Sequence, residues 1–485
     1  MIDAAYAACL AFGTWCDRHR LRILLVGAPA YLVLLVAVGA LVLQRFPNSG
    51  DEYVYLYEAA TIGEGRLSNP LPRTADAFDF NYIVRDGGRA FGTFPPGWPL
   101  ALAVAAWLDV PAWLLNPLLG VATIVVLWAL ARELHGARIG ALAAALTAIS
   151  PFFVFNAASY FSHTFCGFLL VLAAYAASIA HRRPVFAPLL VGFLIGWAVL
   201  TRYFTGVVGG VAVAALLASR TRPRQVHAFA LVAAGGAPFV ALLAIYNAAL
   251  SGSPWRLTTL ELTKSLWFAP GFATRGLDIL ATQLLQFLLW TPPALLGAYL
   301  WYVRGTARLI DWLFPAMAIL LIFYVNRGGN QYGPRFYYEA FLFLVIVATA
   351  GLFRDERLAV ANRAGRRLFA AMAVSVAVVP LLFAVHARQV RTVIGERTDI
   401  FTRVADARIT NALVLVGGRV GSVRSMDAHD LTRNGIDYSG DVLFALDRGP
   451  AGNCELAAAH PGRTMYRYVW EHAQRRGRLT VVRCE

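Results

Sequence analysis

Two carboxylates stand side by side in Ser49-Gly50-Asp51-Glu52, directly before the aromatic run Tyr53-Val54-Tyr55-Leu56-Tyr57-Glu58. A carboxylate held where a hydroxyl arrives can take its proton, so the pair is a candidate general base. The same four residues also spell a helix start. Ser49 is a capping type, and Glu52 three positions on closes a capping box. Both acids suit the positive end of a helix dipole. A helix beginning here places Asp51, Tyr55 and Glu58 on one face by the i, i+4, i+7 rule. Glu52 has the spacing of the cap, which leaves Asp51 for chemistry.

Further ionisable groups stand at the ends of apolar runs. These are His163 in YFSHTF, Arg202 in LTRYF, Asp278, and Arg335 and Glu339 in YGPRFYYEA, the segment that also holds Tyr332, Tyr337 and Tyr338. Lys264 is the chain's single lysine. Charges inside a membrane are costly and usually functional, whereas charges at span ends can simply snorkel to water. The tyrosines fit a substrate pocket or an interfacial aromatic belt equally well. Tyr246 and Asn247 read as helix-end ligands or as caps. What favours function is that these groups converge on one side of the membrane.

The elements that must position them are mostly transmembrane. Of 485 residues, 58% are hydrophobic and 15% charged, against roughly 25% charged in a soluble domain. Runs long enough to approach the roughly 20 residues of a span lie at 23–43, 111–131, 139–160, 162–180, 185–201, 203–219, 226–250, 277–300, 311–325, 336–353 and 368–387. The expected fold class is therefore a polytopic α-helical membrane protein of about eleven spans. The first run follows Arg18, Arg20 and Arg22 but is too long for a signal-peptide core, so it is read as a retained anchor. The net charge of +15 sits in arginines between apolar runs, a topology signal rather than a nucleic-acid footprint; no nucleic-acid partner is expected.

With the N-terminus in the cytoplasm, the short inner loops hold Arg132 and Arg138; Arg182 and Arg183; Arg220, Arg222 and Arg224; Arg304 and Arg308; and the arginines from 354 to 367, as the positive-inside rule asks. The odd span count puts the C-terminus outside. Three outer segments can carry chemistry: 44–110, 251–276 and 326–340. The first ends in FPPGWP (94–99) and an apolar stretch too short to cross, read as an interfacial or re-entrant helix. Residues 388–485 read as a small α+β domain outside the membrane. ALVLVGG and DVLFALD look like strands, and MYRYVWEHAQRR looks like a helix. The chain thus divides at 1–387 and 388–485. Cys454 and Cys484 would face an oxidising compartment and form a disulfide. No C-x-x-C zinc pattern is present, and mid-membrane charges or matched broken helices of an ion-coupled transporter are not visible.

These residues resemble the GT-C superfamily of integral-membrane glycosyltransferases, particularly bacterial relatives of protein mannosyltransferases and of the lipid A aminoarabinose transferase. The resemblance covers most of the membrane part. It rests on four features in order: Asp51-Glu52 after the first span, FPPGWP closing the same loop, Ser162-His163 opening the fourth span, and YGPRFYYEA (332–340) opening the tenth. It implies a sugar donor on a polyprenyl phosphate, an acid from the first outer loop, and a lipid or glycan acceptor. Asp51 would be the catalytic base, with Glu52 and Glu58 as further site acids. Arg335, Arg202, Lys264 and His163 are the candidates for the donor phosphate. Tyr55, Tyr332, Tyr337, Tyr338 and Glu339 would line the substrate pocket. The aminoarabinose-transferase type carries E-K-P-P, whereas Thr93-Phe94 precede Pro95-Pro96 here, so that branch's acid and lysine are missing. Some members use a divalent metal; no closed ligand set is visible, and the cofactor stays open. The expected activity is inverting glycosyl transfer at the outer face of a bacterial inner membrane. The rival readings are a lipid-linked-sugar flippase and a non-catalytic assembly subunit.

Overall fold

The computed structural model describes residues 2–257, 264–303, 305, 307–326, 328, 331–353, 362–418 and 428–484. Helix α1 (Ile2–Arg18) precedes the first span, α2 (Arg20–Val42), whose ends contain single π-helical turns. Then follow α3 (Gly50–Gly63) and α4 (Gly97–Trp107) of the long loop after the first span. The bundle continues through α5 (Ala112–His135), α6 (Ala137–Ile149), α7 (Pro151–Ala157), α8 (Ser162–Ser178), α9 (Phe186–Thr201), α10 (Tyr203–Arg220) and α11 (Gln225–Ser251). It closes with α12 (Phe272–Trp290), α13 (Ala294–Val303), α14 (Leu309–Leu321), α15 (Arg335–Phe353) and α16 (Arg363–Asp406).

Six of these helices are long and apolar enough to cross a membrane, or eight with two bent pairs. The chain is a multi-pass membrane protein. Helices α8, α9 and α14 are shorter apolar segments that occupy the remaining expected runs. Two expected spans are broken. The run 139–160 bends by 69° between α6 and α7, where Pro151 follows Ser150. The run 277–300 bends by 111° between α12 and α13, because Pro292 and Pro293 lack the N–H that a helix interior requires. Burial sorts inner from outer helices. In α15, 89% of the apolar window is buried inside the protein, against 17% in α2 and 11% in α11. The first is the core of the bundle and the other two face lipid.

Helix α16 runs 44 residues without a break, so the expected division at 387/388 falls in the middle of a helix. Val390 and Ile394 pack into the core of the membrane bundle, whereas Ile400 and Val404 pack into the C-terminal core. Beyond it, β4 (Ala412–Val416), β5 (Val442–Leu446), α17 (Gly449–Ala459), β6 (Thr464–Glu471) and β7 (Arg476–Val482) form a four-stranded sheet of order β5-β4-β6-β7 with one helix. Strand β4 pairs parallel with both neighbours, and β6 pairs antiparallel with β7. The segment expected as a helix, MYRYVWEHAQRR, is the β6–β7 hairpin. Its buried Met465, Tyr468 and Trp470 are drawn from a run rich in aromatic and β-branched residues, which suit a pleated surface. A disulfide joins Cys454 of α17 to Cys484 beyond β7, with Cα atoms 5.5 Å apart.

The long loop after the first span also carries a three-stranded sheet, β1 (Asn69–Pro70), β2 (Ile83–Asp86) and β3 (Arg89–Gly92) in the order β1-β3-β2. Between β1 and β2, Ala77 and Phe78 sit in the core of the C-terminal sheet with Leu413, Leu443 and Leu456. Tyr53 of α3 donates to the Asn434 carbonyl at 2.5 Å and accepts from its N–H at 2.9 Å. The loop is therefore built into the C-terminal domain as well as tied to the membrane.

Candidate active site

The first turn of α3 is fixed from both ends of its cap. The Ser49 Oγ accepts from the Glu52 N–H at 3.2 Å, and Glu52 Oε2 accepts from the Ser49 N–H at 2.9 Å. Glu52 then does something a cap alone does not. Its other oxygen accepts the Tyr160 N–H at 2.9 Å, across to the turn between α7 and α8. The side chain is fully buried, and burial pushes its pKa up to about 7 against the two backbone donors and the nearby Arg335 charge. Glu52, expected as a site acid, is thus a clamp with both oxygens in use.

Asp51 points the other way. Its Oδ2 lies 2.8 Å from Nη2 of Arg335, with side-chain exposures of 16% and 7%. Two residues far apart in sequence, expected as base and phosphate ligand, meet as an ion pair. The Arg335 guanidinium lies over the Phe161 ring, 4.3 Å from its centroid, and its Nε and Nη1 are buried without a hydrogen-bond partner among the described residues. A guanidinium presents five donors and accepts nothing. Buried donors left open on a cation are costly, and an anion that fills them is favoured.

Arg202 stands on the other side of Phe336. That ring lies 5.7 Å from the Arg335 guanidinium carbon and 6.0 Å from that of Arg202. Nη1 of Arg202 donates to Ser162 Oγ at 3.2 Å, and the same oxygen lies 3.2 Å from the Tyr55 hydroxyl. Behind it, Glu339 holds the cation: its Oε1 is 3.3 Å from Arg202 Nε and 3.1 Å from His163 Nδ1. His163 and Glu339 are each only 1% exposed. They form a supporting layer that orients Arg202. His163 was expected against the phosphate and Glu339 in the pocket, and neither has an open face for that task.

Two further expectations are corrected. Tyr332, Tyr337 and Tyr338 do not line an open pocket: they are buried among Phe152, Phe155, Phe161 and Phe314, as aromatic packing of the bundle core. Glu58 shares the Asp51 face of α3 but accepts the Phe94 N–H at 3.1 Å, so it fastens the end of the loop at the FPP turn. Gly92 is required there, since a Cβ would fall within 2.2 Å of the Glu58 carboxylate. Burial raises the Glu58 pKa well above the usual carboxylate range. Lys264 opens the short turn Lys264–Leu266, and its side chain lies outside the described residues. The rings of Phe161 and Phe336, and Ser162 as a bridge from Tyr55 to Arg202, were not singled out as site residues. Ser162 and Phe336 stand inside the Ser162-His163 and YGPRFYYEA motifs and Phe161 directly before the first, but no local rule assigns them these contacts.

Among the described residues, no three His, Cys, Asp or Glu side chains converge as a metal site. Asp51 is paired with arginine and Glu52 is saturated by amides, so the acids of α3 do not form an assembled donor set.

Residues 97–246 match the family model described as dolichyl-phosphate-mannose-protein mannosyltransferase, and residues 412–483 match a domain of unknown function. No curated protein matches the sequence significantly. The fold is that of the GT-C integral-membrane glycosyltransferases, and the family match covers about a third of the chain. Among solved structures it is similar to ArnT from Cupriavidus metallidurans bound to undecaprenyl phosphate. The identity is 14%, with 90% of this chain and 93% of that chain covered at a TM-score of 0.55. Weaker likenesses are to the Archaeoglobus fulgidus oligosaccharyltransferase in the apo form (12% identity, 91% and 69% covered, TM-score 0.45) and to arabinofuranosyltransferase AftD from Mycobacteria (19%, 87% and 31%, 0.48).

Proposed function

We propose that this protein transfers a sugar from a polyprenyl-phosphate donor to a hydroxyl of a lipid or glycan acceptor at the outer face of the membrane, with inversion at the anomeric carbon. The observation that carries this reading is the Arg335 guanidinium, bonded to Asp51 on one edge and open on Nε and Nη1. A lipid phosphate fits that open edge with paired charge-assisted hydrogen bonds, and Arg202 beyond Phe336 supplies a second cation. The ArnT structure bound to undecaprenyl phosphate supports a donor of this chemistry.

In the reaction, the acceptor oxygen attacks the anomeric carbon from the face opposite the phosphate. The carbon–oxygen bond to phosphate breaks and its electron pair leaves with the phosphate. The acceptor proton passes to Asp51. As the phosphate engages Arg335 it competes with Asp51 for the cation, so donor binding loosens the carboxylate from its ion pair and makes it available as base. Fixed cations facing the departing phosphate carry the larger electrostatic share, and general-base help contributes about 10²–10⁴-fold.

The positive-inside pattern of the arginines supports a cytoplasmic N-terminus, and with it an outer location for α3 and for the region following α16. The test is transfer by the purified protein in vesicles carrying polyprenyl-phosphate sugars, read as release of free polyprenyl phosphate. Arg335→Ala is expected to abolish release while Arg66→Ala, a surface arginine paired with Glu64, leaves it intact. Donor movement across the vesicle without phosphate release would overturn the enzyme reading in favour of a flippase. Mass spectrometry of lipids and surface glycans from cells with and without the gene names the sugar and its acceptor.

A further inference from the structure

Helix α1 lies outside the catalytic machinery and is held at two points. The Tyr6 hydroxyl donates to the Leu352 carbonyl at 3.1 Å. Near Gly13 the backbone of α1 comes so close to α6 that a Cβ would stand 3.0 Å from the Arg138 carbonyl, and Arg138 Nε donates to Thr14 Oγ1 at 3.0 Å. Between the α1–α2 junction and the pair α5–α6 lies a slot of about 330 Å³. Phe12, Trp15 and Cys16 of α1 and Ile23, Gly27 and Tyr31 of α2 line one side of it, and Val121, Ile124 and Trp128 of α5 line another. Its floor is a run of alanines on α6, at 141, 144, 145 and 148. Side chains this small at helical spacing leave room that no described residue fills. The Tyr31 hydroxyl, bonded to the Ala148 carbonyl at 2.8 Å, stands at the far end.

The charge at the near end is lopsided. Arg18, Arg20 and Arg22 lie in succession where α1 meets α2, all exposed and with no ion-pair partner among the described residues. The neighbouring acid, Asp17, is already taken by Arg132 at 3.1 Å. By helical spacing Arg18 and Arg22 flank the stripe of Trp15, His19 and Ile23, and Trp15 and Ile23 are slot residues. His19 is stacked on the Trp15 ring at 4.8 Å. An apolar slot with an unneutralised cationic cluster at one end matches an amphiphile with one negative headgroup and a hydrocarbon tail.

We propose that this slot is a binding site for one anionic phospholipid, its acyl chain lying on the alanine floor and its headgroup phosphate held by Arg18, Arg20 and Arg22. The arginines contribute through the attraction that basic residues exert on anionic lipid near a bilayer surface, about fivefold in affinity per residue. The small floor contributes by accepting the chain. The site is separate from Asp51 and Arg335 and does not depend on the donor reading.

The test uses the full-length protein, stripped of lipid in detergent and titrated with phosphatidylglycerol or with phosphatidylcholine of the same chains, bound lipid being counted by native mass spectrometry. Wild type is expected to retain one phosphatidylglycerol at least about tenfold more tightly than phosphatidylcholine. Arg18→Gln, Arg20→Gln and Arg22→Gln combined should remove that preference. Ala145→Leu, which fills the floor by a modest volume and keeps every charge, should weaken retention of both lipids. Equal retention of the two lipids by wild type overturns the proposal. So does an unchanged Ala145→Leu protein beside a triple variant that loses its preference, since this would show attraction by surface charge with no seated chain.

Discussion

The Asp51 carboxylate and the Arg335 guanidinium meet at 2.8 Å, joining the first turn of α3 to the start of α15, the most buried of the six long apolar helices. An acid and a cation that we propose as base and phosphate ligand hold each other as an ion pair. Asp51→Asn removes the charge while preserving the shape. Transfer is expected to fall at least about 10²-fold. Binding of undecaprenyl phosphate should instead tighten, by about fivefold, because the competing partner of Arg335 is gone; this equates to about 1 kcal/mol for a partly exposed pair. Lipid-phosphate titration of the folded variant checks it, and unchanged or weaker binding would refute the competition.

Glu339 should behave as a support for Arg202. Glu339→Ala strands a cation beside Phe336 and is expected to cost about 2–4 kcal/mol, somewhat below a fully buried pair because Arg202 is 18% exposed. Arg202→Ala combined with Glu339→Ala should cost less than the two single changes summed. Thermal unfolding of the four proteins in one detergent measures this, and additive losses would show that the two side chains act independently.

Glu52 predicts a pH dependence of stability. Its folded pKa is raised to about 7, above the roughly 4.3 of a free glutamate. The folded state therefore binds the extra proton between these values. The contribution is fully present below about pH 4.3 and is lost as pH rises through about 7, amounting to at most about 4 kcal/mol. Melting temperature should fall across that window in wild type. In Glu52→Gln the fall should be absent, on top of a constant loss from the side-chain amide that now opposes one of the two N–H groups. Parallel slopes in the two proteins would assign the effect elsewhere.

The Cys454–Cys484 bridge closes a loop of 30 residues, worth roughly 3–4 kcal/mol in the chain-entropy model. Cys454→Ser should lower the unfolding transition of the C-terminal region without changing insertion of the bundle. Peptide mapping without reductant should recover the two cysteines linked, and recovery of both as alkylated thiols would disprove the link.

Hydropathy was enough to read a multi-pass helical bundle, because lipid requires every span to satisfy its own backbone in an apolar helix. Breaks within spans were harder. The Thr291-Pro292-Pro293 step was visible in the letters but averaged away in a long apolar window. The continuation of α16 was written in Ile394, Ile400 and Val404 at helical spacing, although the drop in hydropathy after residue 387 looked like a boundary. At the site, local rules identified the Ser49–Glu52 cap. Nothing local could show Glu52 reaching Tyr160, or Glu339 serving His163 and Arg202 together, since each depends on how distant helices pack. The tyrosines around Arg335 misled for a related reason: an aromatic residue reads alike whether it faces a ligand or fills a core.

Helix α16 has a mechanical consequence. At about 1.5 Å per residue its 44 residues form a rod of about 66 Å, more than twice the roughly 30 Å hydrocarbon layer. The bundle grips it from Phe369 to Ile394, and the sheet grips its C-terminal end at Ile400 and Val404. A bend of about 5° at Ile394 moves the far end, about 18 Å on, by about 2 Å. Because Phe78 and Tyr53 tie the outer loop to the same sheet, a sideways load on the sheet pulls on α3 as a lever pulls on its catch, and Asp51 rides on that catch.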